Sequence, residues 1–219
     1  MIICGVEEAG RGPVIGPMVM CGLAIDENKI QQLKDIGVKD SKLLSPHERN
    51  RLFDKILELA DKCEITIIPP EEIDRAVGRE EDINLNWLEA RKTADMINKL
   101  HPDKVYLDCP SPNCEKYAEY IKKLLKNKNP EIIAEHKADV NYPIVGAASI
   151  IAKVTRDKEI EALKKRFKVD FGSGYPADPF TAQFLKENYA KYPFFRKSWS
   201  NYKDAAAQKN QKKLFEFRK

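Results

Sequence analysis

Four carboxylates carry the chemical possibilities of this chain. Glu7 and Glu8 lie in Gly5-Val6-Glu7-Glu8-Ala9-Gly10-Arg11-Gly12-Pro13, Asp108 in Leu107-Asp108, and Asp139 in His136-Lys137-Ala138-Asp139. Each site ends a short apolar run of the kind that forms a covered strand, where an acid is not placed without a partner. Taken singly, each reads equally well as a solvated strand end. Converging on one sheet edge, the four would repel one another unless divalent cations neutralised them. A hard-oxygen donor set without histidine suits Mg²⁺ or Mn²⁺. Carboxylates that bridge two such ions can activate a water and stabilise the leaving oxygen of a phosphodiester. Gly10 and Gly12 let the backbone and its N–H groups approach a ligand closely, and Arg11 offers a charge suited to phosphate. The residues therefore point to metal-assisted phosphoryl chemistry.

The elements that must position these acids can be read along the chain. Ile2 to Val6 forms a first strand that delivers both glutamates into the glycine turn, and Pro17 to Ile25 pairs with it antiparallel. Asn28 to Ile36 is a short helix. Ser45-Pro46-His47-Glu48 is a capped helix start, followed by an apolar face of Leu52, Phe53, Ile56, Leu57 and Ala60. Cys63 to Ile68 is a third strand stopped by Pro69-Pro70. A charged segment, Glu71 to Asp82, leads to a helix over Asn84 to Leu100 with Leu85, Leu88, Ile97 and Leu100 toward the core and Trp87 at its edge. Lys104 to Asp108 is the next strand. A helical crossover favours its lying parallel beside the first, which sets Asp108 next to Glu7. A helix from about Pro112 to Lys126 leads to a fifth strand, Ile132 to Glu135, after which Asp139 takes an equivalent strand-end position. Pro143 to Arg166 is a long helix whose small residues Gly146, Ala147 and Ala148 allow close packing on the sheet. A second glycine turn, Phe171 to Pro179, presents Tyr175, expected to be exposed and rigidly held. A helix around Thr181 to Tyr189 and an aromatic, basic run from Pro193 to Tyr202 follow, and the tail from about Asp204 is expected to be disordered.

Composition bounds these readings. With 219 residues and 42% hydrophobic content, the chain can bury one catalytic-sized core. We expect a catalytic domain over 1–189 and a basic C-terminal segment and tail over 190–219. The latter holds nine Lys or Arg against two acids, while the remainder has 29 against 32. That asymmetry suits a polyanionic partner, and a tail kept solvated by charge explains it equally. Five cysteines without a C-x-x-C pair and three scattered histidines argue for reduced thiols and against structural zinc. No apolar run reaches the roughly 18 residues of a membrane span, so a cytoplasmic monomer is expected. Asp40-Ser41-Lys42 suits phosphate contact or an ordinary surface loop. No G-x-x-x-x-G-K-[ST] pattern supports a nucleotide-binding ATPase. Gln211, Leu214 and Phe217 have the spacing of a sliding-clamp-binding motif, which would seat Leu214 and Phe217 in an apolar pocket; chance spacing in a basic tail is the alternative.

In this order, the glycine-turn motif, Asp40-Ser41-Lys42, Leu107-Asp108, His136-Lys137-Ala138-Asp139, Ala148-Ser149-Ile150-Ile151-Ala152-Lys153 and Gly172-Ser173-Gly174-Tyr175-Pro176 resemble the type 2 ribonucleases H (ribonuclease HII). The resemblance covers essentially the whole chain and looks like an archaeal-type single chain. It implies an α/β RNase H-like fold, a five-stranded mixed sheet flanked by helices with a helical C-terminal extension. It implies cleavage on the 5′ side of ribonucleotides in RNA/DNA hybrids or embedded in duplex DNA, in ribonucleotide removal, DNA replication and repair. The ends left would be a 3′-hydroxyl and a 5′-phosphate. Glu7, Glu8, Asp108 and Asp139 would hold Mg²⁺ or Mn²⁺. Gly10, Arg11 and Gly12 would read the ribose 2′-hydroxyl through backbone groups. Tyr175 would stack on the deoxyribose at the junction, and Ser41, Lys42 and Lys153 would contact phosphates. The tail would dock on the sliding clamp (PCNA). The family opens its first motif with Asp-Glu where this chain has Glu7-Glu8. Two readings therefore stand: an active endoribonuclease, and a weakened or inactive protein that binds junction-containing duplex without efficient cleavage.

Overall fold

The structure is a computed structural model that describes residues 1–38, 44–78, 83–126 and 129–216, with only the helical backbone described over 209–216. Ser41, Lys42 and Phe217 lie outside the described residues.

Five strands, β1 (Ile2–Ala9), β2 (Met18–Asp26), β3 (Lys62–Ile68), β4 (Lys104–Asp108) and β5 (Glu131–Glu135), form one mixed sheet in the order β3-β2-β1-β4-β5. The expected parallel pairing of β1 with β4 is present, with Val6 opposite Leu107. Strand alternation then decides which helices each residue meets. Cys4, Val6, Met20, Val105 and Leu107 face one layer, built on α4 (Leu85–Leu100) and α5 (Cys114–Lys123). Ile3, Cys21, Leu23 and Ile25 face the other, built on α1 (Ile30–Asp35), α2 (Pro46–Leu59) and α7 (Pro143–Phe167). α2 begins as expected: Ser45 accepts from Glu48 N while Glu48 accepts from Ser45 N, with Pro46 in the first turn. Trp87 packs at the edge of α4 against Tyr117 and Tyr120, with ring centroids 6.4 and 4.5 Å away.

Several local expectations are corrected. β1 continues to Ala9, so Glu7 and Glu8 sit inside the strand rather than at its end. Pairing of Glu7, Glu8 and Ala9 with Cys21, Met20 and Val19 carries the strand through both acids. Part of the charged segment after Pro69 is a helix, α3 (Pro70–Gly78), which buries Ile73 and Ala76 one turn apart while its charged side faces outward. Asp139 does not end a strand. Lys137 adopts a left-handed conformation (φ 63°, ψ 33°), turning the chain after β5 so that Asp139 lies in a short helix, α6 (Ala138–Asn141). Of the tail expected to be disordered, the described part is helical, since α9 runs over Ser200–Glu216.

The C-terminal part closes on a third, aromatic core. Phe171, Phe194 and Phe195 pack with Val14, Ile15, Leu185 of α8 (Pro179–Asn188) and Ala205 of α9. The aromatic, basic run at 193–202 turns its centre inward: Phe194, Phe195 and Arg196 are all buried, while Lys197 is exposed.

Candidate active site

The close approach of α7 to β1 builds the site. A Cβ placed on Gly5 would lie 2.5 Å from the carbonyl carbon and oxygen of Ile144, so only glycine admits the first turn of α7 at this distance. That packing brings α6, immediately before α7, against the sheet on the side to which Glu7 and Asp108 point. One ligand atom from each of Glu7, Asp108 and Asp139 lies within 4.8 Å of the others. Glu7 and Asp139 are buried, and Asp108 Oδ1 accepts from Ala138 N at 3.2 Å, which ties the turn carrying Asp139 to the end of β4.

Glu8 does not join this trio. One residue further along the strand, it points to the α4 side, where Arg11 Nε is 4.0 Å from its Oε1. Arg11 also donates to Glu89 Oε1 (2.8 Å) and to Asn86 Oδ1 (2.5 Å), both on α4. Its guanidinium, suited from sequence to a phosphate, is engaged by the protein itself. Glu89 escaped the sequence reading, although a signal exists: it lies four residues before Thr93 and eight before Ile97, on the buried stripe of α4. An acid on such a stripe implies a buried partner.

Electrostatics separates the two faces. Burial raises Glu7 well above the usual carboxylate range, and Glu8, Asp108 and Asp139 push it further. Burial also carries Glu8 up to about 7, with Arg11 pulling it down and Asp108 pushing it up. Glu89 rises to about 8 through burial and the charge of Glu8, against the pull of Arg11. Oε2 of Glu7 is buried with no hydrogen-bond partner. A buried oxygen without a donor, in a trio of oxygen ligands, is the environment a hard divalent cation satisfies. Among the described residues this is the one such grouping of three or more potential ligands.

A cleft of about 390 Å³ reaches Glu7 of the trio and is lined by Glu7, Glu8, Gly10, Arg11, Gly12, Lys153 and Tyr175 among the expected residues, with Arg49, Ser149, Arg156 and Ser173 in addition. Gly10 takes φ +79°, and a Cβ there would lie 3.1 Å from Arg156 Cγ and 3.0 Å from Pro17 O. Tyr175 is 41% exposed, as its setting suggested. Its ring lies 5.1 Å from the Arg156 guanidinium, whose Nη2 donates to Ser173 O at 3.0 Å. The buried Arg156 thus joins the tyrosine turn to α7 behind the glycine turn. Arg196 was also missed, its cationic type and aromatic neighbours having suggested a surface for polyanions. Its side chain donates to the carbonyls of Gly10 (2.6 Å), Arg11 (2.8 Å) and Gly16 (2.9 Å).

Comparison with known proteins agrees with this geometry. The ribonuclease HII family model matches residues 4–202. Ribonuclease HII of Pyrococcus furiosus is 48% identical over 205 residues, covering 91% of this chain and 88% of that protein. The crystal structure of ribonuclease H2 from Pyrococcus horikoshii OT3 superposes with a TM-score of 0.86 at 45% identity, covering 95% and 98% of the two chains. RNase HII of Archaeoglobus fulgidus, solved in complex with PCNA, superposes with a TM-score of 0.82 at 37% identity, covering 93% and 96%. The five-stranded mixed sheet flanked by helices is accordingly the RNase H fold. With one family model spanning nearly all of the sheet, the cleft and the C-terminal core, and relatives at this identity, the chain belongs to the ribonuclease HII family and is a ribonuclease H.

Proposed function

We propose that the protein is a metal-dependent endoribonuclease that cuts on the 5′ side of ribonucleotides, in RNA/DNA hybrids or embedded in duplex DNA, leaving a 3′-hydroxyl and a 5′-phosphate. The observation that carries this reading is the trio of Glu7, Asp108 and Asp139 within 4.8 Å of one another, beside the glycine turn and Tyr175. Mg²⁺ or Mn²⁺ held there would supply activation of water and charge stabilisation at the phosphodiester. Glu7, Asp108 and Asp139 would hold the ions, with Glu8 at their margin, where Arg11 and Asp108 act on its carboxylate in opposite senses. Backbone N–H groups of Gly10, Arg11 and Gly12 would meet the 2′-hydroxyl, the atom that distinguishes ribose from deoxyribose. Tyr175 would stack on the deoxyribose that follows, its ring backed by Arg156. Lys153 would contact a phosphate at the cleft wall, and Ser41 and Lys42 would add phosphate contacts that position the duplex rather than specify sequence.

The longer arm of Glu7 still brings its carboxylate into the trio, which supports the active reading over duplex binding without efficient cleavage. A duplex with one embedded ribonucleotide tests this: cleavage in Mg²⁺ or Mn²⁺, abolished by chelation, is expected. Absence of cleavage in both metals, with binding retained in Ca²⁺, would overturn it.

Along the chain we assign catalysis to 1–189 and partner docking to 190–219. The complex of the Archaeoglobus fulgidus relative with PCNA supports a sliding clamp as the partner of Gln211, Leu214 and Phe217. Deleting 211–219 should abolish clamp capture while leaving cleavage of a short duplex within about twofold. Undiminished capture would remove the motif from the account. Ribonucleotide removal during DNA replication and repair, by a monomer in the cytoplasm, is the setting this reading supports.

A further inference from the structure

Arg196 is 0% exposed, and its side chain donates to three carbonyl oxygens: Gly10, Arg11 and Gly16. Its guanidinium lies 5.0 Å from the ring of Trp199, and the Trp199 indole Nε1 donates to Gly12 O at 3.1 Å. Two side chains about 185 residues away in sequence therefore hold three consecutive carbonyls of the glycine turn. Neither lines the cleft, whereas Gly10, Arg11 and Gly12 do.

The consequence follows from peptide geometry. The C=O and N–H of one trans peptide unit point in opposite directions, and the described chain has no cis peptide. Holding Gly10 O and Arg11 O on Arg196 turns the N–H groups of Arg11 and Gly12 away from it. Gly12 O belongs to the unit shared with Pro13, which has no N–H, so two donors are aimed. Burying a guanidinium carries a desolvation cost, visible in the lowering of Arg196 to about 9 by burial and the neighbouring Arg156. An apolar side chain would suit Phe194 and Phe195 as neighbours but would leave the carbonyls of Gly10, Arg11 and Gly16 without this donor.

We propose that Arg196, assisted by Trp199, is a positioning residue for ribose recognition: it fixes the orientation of the Arg11 and Gly12 N–H groups that meet the 2′-hydroxyl. This rests on the reading above that the glycine turn contacts that hydroxyl. A staple that merely fastened the C-terminal segment would affect all duplexes alike; an aiming device affects the distinction between ribose and deoxyribose.

The full chain and its Arg196→Gln, Arg196→Lys and Trp199→Phe variants are compared for binding, in Ca²⁺, to two short duplexes identical except for one central ribonucleotide. Wild type should prefer the ribonucleotide duplex. Arg196→Gln should lower that preference at least tenfold, with affinity for the all-DNA duplex within about twofold. Arg196→Lys, which keeps a donor cation, should retain part of the preference. Trp199→Phe, which removes the bond to Gly12 O, should cost less than Arg196→Gln and remains informative if the glutamine variant folds poorly. A preference unchanged in all three variants, or an equal loss on both duplexes, overturns the proposal. A wild type without preference would instead overturn the ribose reading of the turn.

Discussion

Glu7 and Glu89 are both buried glutamates, on opposite faces of the same sheet. Glu89 has an arginine 2.8 Å away, whereas the charged neighbours that set the state of Glu7 are all acids. The α4 side is a neutralised network whose charges hold one another in place. On the α7 side, the charged groups that act on Glu7 are carboxylates throughout. A buried ion pair is weak evidence of function, because its charges already satisfy each other. A buried cluster of like charge is stronger evidence, because a cation must be supplied from outside. The two faces therefore differ in kind: one pairs an arginine with its acids, the other groups three carboxylates as a metal site would.

The largest test of this contrast is Asp139→Asn. It should reduce cleavage by about 10³-fold or more, roughly 4 kcal/mol of barrier, yet raise the melting temperature of the metal-free protein, since one repelling charge is gone. A variant both inactive and less stable without metal would place Asp139 among residues that hold the fold. Glu89→Ala should do the reverse, costing about 2 kcal/mol of stability because the part-buried Arg11 Nε bond to Glu89 Oε1 loses its acceptor, with a smaller loss of rate. Equal stability of Glu89→Ala and wild type would dissolve the distinction between the faces.

Tyr175→Ala comes next. The side chain is exposed and its ring packs against the Arg156 guanidinium, so cleavage of a single embedded ribonucleotide should slow by about tenfold with little change in melting temperature. A large drop in melting temperature would make Tyr175 structural.

The smallest effect is a pH dependence. Glu7, Glu8 and Glu89 are raised in the folded state above the ordinary 4.5, to about 7 for Glu8 and about 8 for Glu89. The folded protein then binds more protons than the unfolded chain across that interval. Stability is fully present below about pH 4.5 and is lost as pH rises through 7 and 8. The contribution of these groups should lower the metal-free melting temperature by on the order of 5 °C between pH 5 and 8. Mg²⁺ or Mn²⁺ should recover more of it at pH 8 than at pH 5. Metal stabilisation independent of pH would mean the ions bind elsewhere.

The sheet and the acids were legible because they depend on local signals. Apolar runs of strand length, a proline and a capping box at Ser45, and a crossover long enough for a helix lead directly to parallel β1 and β4. The division of the acids between two faces follows from the period of a strand, once β1 is known to extend to Ala9; the glycine at position 10 suggested an earlier end. The pairings of Arg11 with Glu89 and of Arg196 with the glycine turn join residues 78 and 185 positions apart. Nothing local marks them except a charge where burial would be expected, as on the inner stripe of α4. The conformation of Lys137 was likewise hidden, since a non-glycine residue at φ 63° is imposed by the packing around it.

The helix that begins beside Trp199 also sets a length. α9 spans 17 residues, about 25 Å at 1.5 Å per residue, and its first turn follows the indole that holds Gly12 O. A partner bound at the far end would be kept at a set reach from the glycine turn, as by a strut rather than a leash. Lengthening α9 by one turn within its exposed face would shift that reach by about 5 Å, so the distance along DNA between partner and cut is a quantity the fold can specify.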